Sequence, residues 1–172
     1  SIVHNNKKPQ MIFQDPYSSL NPAWTIGRIL REPLLLSGIR ERKELDKRVS
    51  DMLCKVGLDE SYAYRHPSQL SGGQRQRISI AAALIACPKL VIADEPLSAL
   101  DVTIQAQIMQ LLIELKREMG LTYIFISHDI DVVYQLCDRI MVMKDGRVVE
   151  IGDTREIFDN PREAYTRQLI EA

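Results

Sequence analysis

Two adjacent carboxylates, Asp94 and Glu95, stand at the end of the apolar run 89–94, which lies between two prolines. Such a run is typical of a strand of a parallel sheet that is buried on both faces. Ligands of open α/β sheets bind at the carboxyl ends of the strands, where an Asp suits Mg²⁺ and a Glu can orient or deprotonate a water molecule. Taken alone, the pair is explained equally well by a strand end followed by a capped loop.

The segment Ser71-Gly72-Gly73-Gln74 opens a predicted helix over 71–86. Helix N-termini carry unpaired backbone N–H groups and the positive end of the helix dipole. Glycines let a phosphate approach the backbone, and the serine hydroxyl adds a donor. The segment is therefore a candidate phosphate-binding turn, and the alternative is an ordinary N-cap after a loop.

Two further polar side chains stand at the ends of predicted strands. Gln14 lies between a strand and a proline-rich turn, and its amide could contact a metal-bound water. His128 directly follows a strand, and its imidazole could contact a phosphate or position a water. For a single Gln the alternative is an ordinary surface residue, and for a single His it is a surface-loop neighbour of an N-cap.

Strands and helices alternate from residue 89 onward, which favours an α/β fold with a parallel sheet. The predicted strands are 10–14, 89–94 and 121–127, the last two buried, followed by a hairpin over 139–152 that turns at Asp145-Gly146. The predicted helices are 25–36, 41–56, 71–86, 104–119, 130–136, 154–158 and 163–170. Because residues 25–64 contain helices only, they indicate an inserted helical subdomain.

Composition excludes several classes of protein. A chain of 172 residues fits one domain, and its net charge of −1 gives no support to a nucleic-acid role. The three cysteines are too scattered for a disulfide framework or a zinc site, and we expect Cys87 and Cys137 to be small core side chains. We expect neither a bilayer-spanning run nor a signal peptide, so any membrane role would depend on a partner.

Five elements follow one another along the chain: Gln14, LSGGQ at 70–74, LVIADEP at 90–96, SALD at 98–101 and His128. In this order they resemble the Q-loop, signature motif, Walker B, D-loop and switch histidine of the ATP-binding cassette (ABC) ATPases. The resemblance covers essentially the whole chain. It implies an α/β fold that corresponds to the C-terminal part of a P-loop NTPase (RecA-like) parallel sheet with an inserted α-helical signature subdomain.

The resemblance also implies a domain organisation. Residues 1–172 would form a partial ABC ATPase domain. Its parts would be a Q-loop segment (1–24), the helical signature subdomain (25–88), and a RecA-like part with Walker B, the switch histidine and C-terminal helices (89–172).

Two stretches narrow the resemblance to a subfamily. MIFQDPYSSLNP at 11–22 and NPREAYTRQLIEA at 160–172 are similar to the oligopeptide, dipeptide and nickel importers. That subfamily usually has a His-Pro pair before the Tyr-Thr, whereas Glu163-Ala164 occupy this place here. The resemblance implies uptake of peptides or nickel driven by ATP, with Mg²⁺ as cofactor.

The family's catalytic and metal-binding roles carry over to four residues. Glu95 would polarise the attacking water, and His128 would contact the γ-phosphate. Asp94 would hold Mg²⁺. Gln14 would sense Mg²⁺ and water and would transmit closure to the membrane subunits.

The family's nucleotide-binding roles at the dimer interface carry over to five residues. Two cassettes would close head to tail around two ATP molecules. Ser71, Gly72, Gly73 and Gln74 of one subunit would meet the γ-phosphate bound to the other, and Asp101 would cross the interface.

The implied partners are a second ATPase subunit in a homo- or heterodimer, transmembrane permease subunits and, indirectly, an extracytoplasmic solute-binding protein. No nucleic acid is expected. The protein would lie at the cytoplasmic face of the membrane. Residues 25–64, with Trp24 and the Leu34-Leu35-Leu36 run, are the expected docking surface for a permease loop, although a plain subdomain core explains the leucines equally well.

A phosphate-binding loop of the form G-x-x-x-x-G-K-[ST] is missing, since none of the eight glycines has this spacing. The chain therefore resembles a cassette truncated at its N-terminus, and we expect it to bind Mg-ATP poorly and to hydrolyse none by itself. In the family, the strand that leads into this loop pairs with the strand matching 122–127. We therefore expect an unpaired sheet edge here, with rearrangement, swapping or self-association.

Two other functions remain open. A non-transport ABC ATPase, such as a DNA-repair or chromosome-structuring protein, would have long coiled coils, and this sequence has no sustained heptads or basic stripe. A non-catalytic binding or regulatory fragment is favoured by the missing phosphate loop, but it gives no reason for Gln14, Asp94, Glu95 and His128 to occur together.

Overall fold

The computed structural model describes residues 8–15 and 19–171. The chain forms two compact units, and the boundary between them follows Ile126. The first unit contains a parallel sheet of three short strands, β1 (Gln10–Ile12), β2 (Leu90–Asp94) and β3 (Thr122–Ile126), in the order β1-β2-β3. Strand β2 lies in the centre, with Ile92 paired to Met11 on one side and to Ile124 on the other. The predicted α/β fold with a parallel sheet is confirmed.

The two faces of this sheet differ in burial. Ile12, Val91 and Ala93 are fully buried on one face, whereas Ile124 and Ile126 on the other face are each 49% exposed. The prediction that residues 121–127 form a fully buried strand is therefore wrong. Apolar composition predicts burial on both sides of a strand, but burial depends on which elements cover each face.

Strand β3 is also an edge of this sheet, because among the described residues it pairs with β2 alone. Self-association through this edge stays a prediction.

The helical part of the first unit lies between β1 and β2 in sequence. It contains α1 (Ile26–Leu36), α2 (Arg42–Lys55), two 3-10 turns (Glu60–Tyr64 and Pro67–Gln69) and α3 (Gly72–Leu84). Its apolar core comes from one face of each helix and includes Ile26, Leu30, Leu34, Leu45, Val49, Leu53, Ile78 and Leu84. These helices agree with the periodicity of the sequence, because apolar residues at helical spacing bury one face.

A long helix, α4 (Val102–Met119), connects β2 to β3. It buries Ile108, Leu112 and Leu115 and ends at Gly120, which has the left-handed conformation of a helix C-cap (φ 62°). A helical crossover between two parallel neighbouring strands is the expected βαβ connection.

The second unit contains a short helix, α5 (Ile130–Leu136), an antiparallel hairpin of β4 (Arg139–Lys144) and β5 (Arg147–Asp153), and two C-terminal helices, α6 (Thr154–Asp159) and α7 (Ala164–Glu171). The hairpin turns at Asp145 and Gly146, whose φ angles are 50° and 74°. Positive φ at both central residues is what an Asp-Gly hairpin turn requires, so the predicted turn is confirmed.

The second unit fixes its last helix with a carboxylate from the hairpin. The side chain of Glu150 is largely buried and accepts hydrogen bonds from the backbone N–H groups of Arg162 (2.9 Å) and Glu163 (3.2 Å), just before α7. The buried Thr166 hydroxyl lies near the same carboxylate. The Thr166 hydroxyl, followed by the two backbone donors, holds the pKa of Glu150 below its ordinary value.

Several side chains differ from their expected burial. Cys87 is exposed and has a φ of 53°, because it lies in the turn between α3 and β2, and Cys137 is half-buried. The prediction that both are core side chains is therefore wrong for Cys87. Of the leucine run, Leu34 is buried and Leu36 is 78% exposed, so one helix turn divides the run between core and surface.

No helix in the described ranges is both long and apolar enough to cross a bilayer.

Candidate functional site

Strand β2 positions the two acids at its carboxyl end. Asp94 is its last residue, and Glu95 follows with a φ of 44°. The backbone N–H of Glu95 donates to the carbonyl of Ile126 at 2.9 Å, which continues the pairing with β3 past the strand end. A left-handed conformation costs a non-glycine residue about 1–3 kcal/mol, and such conformations cluster at functional sites.

Gln14 reaches this turn from the end of β1. Its Nε2 donates to Oε2 of Glu95 at 3.3 Å, although the two residues are 81 positions apart in sequence, and to Oγ of Ser98 at 3.2 Å. The Ser98 hydroxyl donates in turn to the backbone carbonyl of Glu95 at 3.1 Å. Because β1 and β2 are adjacent parallel strands, their ends meet at one sheet edge, and the three residues form what we call the acid-edge cluster (Gln14, Glu95, Ser98).

Two side chains near this edge carry oxygen atoms of the kind that Mg²⁺ prefers. Nowhere in residues 8–15 and 19–171 do three or more His, Cys, Asp or Glu side chains form a group that could hold a metal ion. Asp94 offers carboxylate oxygens, and Gln14, whose nitrogen faces Glu95 and Ser98, offers its amide oxygen. Mg²⁺ is commonly held by one or two protein oxygens, with waters and substrate phosphates completing the shell.

The signature turn, which we define as Ser71–Gln74, forms the N-terminus of α3. Ser71 is the N-cap, and its Oγ accepts a hydrogen bond from the backbone N–H of Gln74 at 3.3 Å. The Gln74 side chain closes a capping box by accepting from the backbone N–H of Ser71 at 3.0 Å. The predicted helix start is confirmed, and the backbone N–H groups of Gly72 and Gly73 lie in its first turn, where an anion could bind.

The two glycines of this turn have different surroundings. A Cβ at Gly73 would stand 2.7 Å from Cγ2 of Ile104 in α4, whereas a Cβ at Gly72 would meet its nearest neighbour, Cδ2 of Leu100, at 3.9 Å. Gly73 is therefore required for the packing of α3 against α4. Gly72 has room for a side chain, so packing alone does not explain its presence.

Asp101 caps helix α4. Its Oδ1 accepts a hydrogen bond from the backbone N–H of Ile104 at 3.0 Å, and the residue is exposed. The structure thus connects Asp101 to the signature turn through one residue, since Ile104 also packs on Gly73.

His128 lies in the second unit, two residues after the end of β3 in sequence, and it is exposed. The next residue, Asp129, is the N-cap of α5 and accepts from the backbone N–H of Val132 at 3.2 Å. His128 is therefore the neighbour of an N-cap, and its expected role at a phosphate stays a prediction.

Two residues of the site were missed as individual predictions. Ser98 lies in the SALD segment, but its spacing gave no sign that its hydroxyl joins Gln14 to Glu95. Tyr62 belongs to none of the sequence motifs, yet its hydroxyl accepts a hydrogen bond from Nε2 of Gln74 at 3.0 Å. Both contacts depend on tertiary placement, so no local signal could have found them.

Comparison with known proteins places the chain in a family. The ABC transporter family model matches residues 1–98. The glutathione import ATP-binding protein GsiA of Pectobacterium atrosepticum is 49% identical over 172 residues, which are 100% of this chain and 28% of that protein. The dipeptide transport ATP-binding protein DppF of Haemophilus influenzae is 49% identical over 166 residues, 96% of this chain and 51% of that protein.

Further matches agree with these. The oligopeptide transport ATP-binding protein OppF of Bacillus subtilis is 50% identical over 172 residues, 99% of this chain and 56% of that protein, so the chain spans about half or less of these relatives. A dimeric post-hydrolysis structure of the ATP-binding cassette MJ0796 bound to ADP and Pi superposes with a TM-score of 0.74 at 37% identity, covering 87% of this chain and 64% of that one. The order of the motifs, the fold and these relatives agree: the chain belongs to the ABC transporter family.

Proposed function

We propose that this chain is part of the ATP-binding and ATP-hydrolysing subunit of an ABC importer. The observation that carries the proposal is the hydrogen bond between Gln14 and Glu95, because it brings a Q-loop amide onto the proposed catalytic carboxylate. The bound ADP and Pi of the related MJ0796 structure support a nucleotide as the ligand.

Glu95 is proposed to accept a proton from the attacking water or to orient it. A carboxylate suits this role when it is held at a fixed position, and here the turn conformation, Gln14 and Ser98 together fix it. His128 is proposed to contact the terminal phosphate. When bound by Asp94 and Gln14, Mg²⁺ would neutralise negative charge on the phosphates.

The signature turn and Asp101 are proposed to act on the nucleotide of a second ATPase subunit. Ser71 and the backbone N–H groups of Gly72 and Gly73 form an exposed or half-exposed helix N-terminus, which favours an anion. The Gln74 amide bonds to Ser71 and to Tyr62, so we propose that it contributes by holding the turn in shape. A dimeric arrangement is supported by the dimeric MJ0796 structure.

The cargo and the partners are inferred from relatives. Of the two expected cargo classes, peptides and nickel, the names of the relatives favour peptides, since they import dipeptides, oligopeptides and glutathione. Permease subunits and an extracytoplasmic solute-binding protein would complete the transporter, with this subunit at the cytoplasmic face. Residues 1–24, 25–88 and 89–172 are proposed as the Q-loop segment, the signature subdomain and the RecA-like part.

Reconstituted transport tests this function. The full gene product is combined with its permease subunits in lipid vesicles together with the solute-binding protein, and uptake of a radiolabelled dipeptide is followed with ATP or with a non-hydrolysable ATP analogue. We expect accumulation with ATP and none with the analogue. ATP turnover without uptake of a dipeptide, an oligopeptide, glutathione or nickel would contradict an importer of this class.

A second measurement addresses the 172-residue chain by itself. Since none of its eight glycines forms a G-x-x-x-x-G-K-[ST] loop, we propose that it does not anchor the β- and γ-phosphates and does not hydrolyse ATP. We expect phosphate release at the level of buffer, and turnover comparable to that of the full gene product would contradict this.

A further inference from the structure

The inference begins with the side chain of Gln74, both ends of which are engaged. Its Oε1 accepts the backbone N–H of Ser71 at 3.0 Å, and its Nε2 donates to the hydroxyl of Tyr62 at 3.0 Å. The Tyr62 contact is part-buried and spans 12 positions in sequence. Local capping therefore accounts for only one of the two hydrogen bonds.

The two hydrogen bonds also fix which way the amide faces. The backbone N–H of Ser71 can only donate, so the amide oxygen must face it, and the amide nitrogen must face Tyr62. In a flipped amide, the NH₂ group would face the N–H of Ser71, donor against donor. The capping box would then be lost. The Ser71 N–H thus sets the orientation of Gln74, and the Tyr62 oxygen accepts from the amide nitrogen in that orientation.

The phenol of Tyr62 is held by its own surroundings. It lies in the 3-10 turn Glu60–Tyr64, which Asp59 caps by accepting from the backbone N–H of Ser61 at 2.9 Å. The guanidinium of Arg65 lies 4.0 Å from the centroid of the Tyr62 ring. The carbonyl of Arg65 accepts the backbone N–H of Ile26 at 2.8 Å, which joins this segment to α1.

Hydrogen bonds from Ser61 favour the charged form of Asp59. The side chain and then the backbone N–H of Ser61 donate to it, and these hydrogen bonds hold the pKa of Asp59 below its ordinary value.

We propose that Tyr62 is a positioning residue for the signature turn, acting through Gln74 to hold Ser71 and the first-turn N–H groups in their anion-binding arrangement. The inference rests on the proposed function of the signature turn. Tyr62 itself touches no reacting atom in this scheme. Without its hydroxyl, the Nε2 of Gln74 loses a part-buried acceptor, and the amide is free to leave Ser71.

Amide hydrogen exchange in the nucleotide-free full gene product is the first test. In Tyr62→Phe, we expect exchange at the backbone N–H groups of Ser71 and Gln74 to accelerate about two- to tenfold, the range that corresponds to one net hydrogen bond. The control is Tyr134→Phe, which removes the same atom from a half-exposed ring packed on Phe158 in the second unit. We expect it to leave both rates unchanged.

A double-mutant comparison separates positioning from packing. Gln74→Ala should accelerate exchange at Ser71, and Tyr62→Phe in that background should add nothing, because the atom through which it acts is gone. Unchanged exchange in Tyr62→Phe, or an equal acceleration with and without Gln74, would overturn the inference.

ATP turnover then distinguishes this inference from the proposed function. We expect Tyr62→Phe to raise the KM for ATP about two- to tenfold with kcat within about twofold, because it weakens binding more than chemistry. If Ser71→Ala leaves turnover unchanged, the proposed role of the signature turn is wrong. If Ser71→Ala lowers turnover and Tyr62→Phe leaves KM unchanged, only the role of Tyr62 is wrong.

Discussion

The signature turn and the acid-edge cluster are built in opposite ways. The signature turn is a relaxed helix start in which Ser71 and Gln74 cap each other over three positions. The acid-edge cluster joins residues 81 and 84 positions apart by hydrogen bonds of 3.2–3.3 Å, around a Glu95 in the left-handed conformation. Local chemistry specifies the first region, and the pairing of two strands specifies the second.

The difference indicates where each region tolerates change. The signature turn is closed by local capping bonds and packs on α4 through Gly73, so a substitution at Gly73 should act mainly through packing and stability. In the acid-edge cluster, Gln14 and Ser98 are exposed and Glu95 is only half-buried, so substitutions there should change chemistry with little effect on stability.

Glu95→Gln gives the largest expected effect. It tests whether a substitution in the acid-edge cluster changes the chemistry. Loss of the proposed base should lower ATP turnover by the full gene product at least about a hundredfold, with ATP binding retained. Phosphate release and nucleotide binding are measured on the same preparation. Turnover that survives would show that another group activates water.

Gly73→Ala tests whether a substitution in the signature turn acts through packing and stability. The new Cβ would stand 2.7 Å from Ile104, so α3 or α4 must shift, and we expect a loss of about 1–3 kcal/mol in the free energy of unfolding. Gly72→Ala is the matched control, with its nearest neighbour at 3.9 Å, and should unfold within about 0.5 kcal/mol of the parent. Equal urea midpoints for the two variants would refute the packing argument.

Ser98→Ala is expected to have a smaller effect on chemistry. Removing its hydroxyl takes away one partner of Gln14 and one hydrogen bond to the Glu95 carbonyl. Turnover should fall about two- to tenfold, while the urea midpoint should stay near that of the parent. If instead stability falls and turnover per folded molecule is unchanged, Ser98 supports the fold and not the orientation of Glu95.

Glu150 provides a reference carboxylate whose proposed role is purely structural. Its pKa is lowered in the folded protein, so its stabilising effect is complete above its ordinary pKa of 4.5 and is lost as the pH falls through the lower folded value. We expect the stability difference between parent and Glu150→Gln to shrink over this acid range. Denaturant unfolding from pH 7 downward measures it, and a difference that grows on acidification would contradict the sign.

Local signals explain most of what the sequence predicted correctly. The Ser71-Gly72-Gly73 segment predicted the start of α3, and Asp145-Gly146 predicted the hairpin turn. The apolar run 89–94 predicted a strand that ends in two acids, and β2 ends at Asp94 as expected. In each case the physical cause lies within a few residues.

The missed features depend on tertiary placement. The exposure of Ile124 and Ile126 depends on what covers that sheet face, which no property of the strand encodes. The hydrogen bond from Gln74 to Tyr62 depends on where a 3-10 turn lies relative to α3. The left-handed conformation of Glu95 runs against its residue type, so propensity could not predict it.

Ile104 has a consequence for any substitution screen of this protein. One of its methyl groups lies where a Cβ at Gly73 would clash, and its backbone N–H donates to Asp101. A larger or differently branched side chain at position 104 would press on the first turn of α3 and disturb the cap of α4 together. Variants at this single non-polar position should therefore have the same effect as substitutions in both the signature turn and the Asp101 cap, although neither sequence motif is changed.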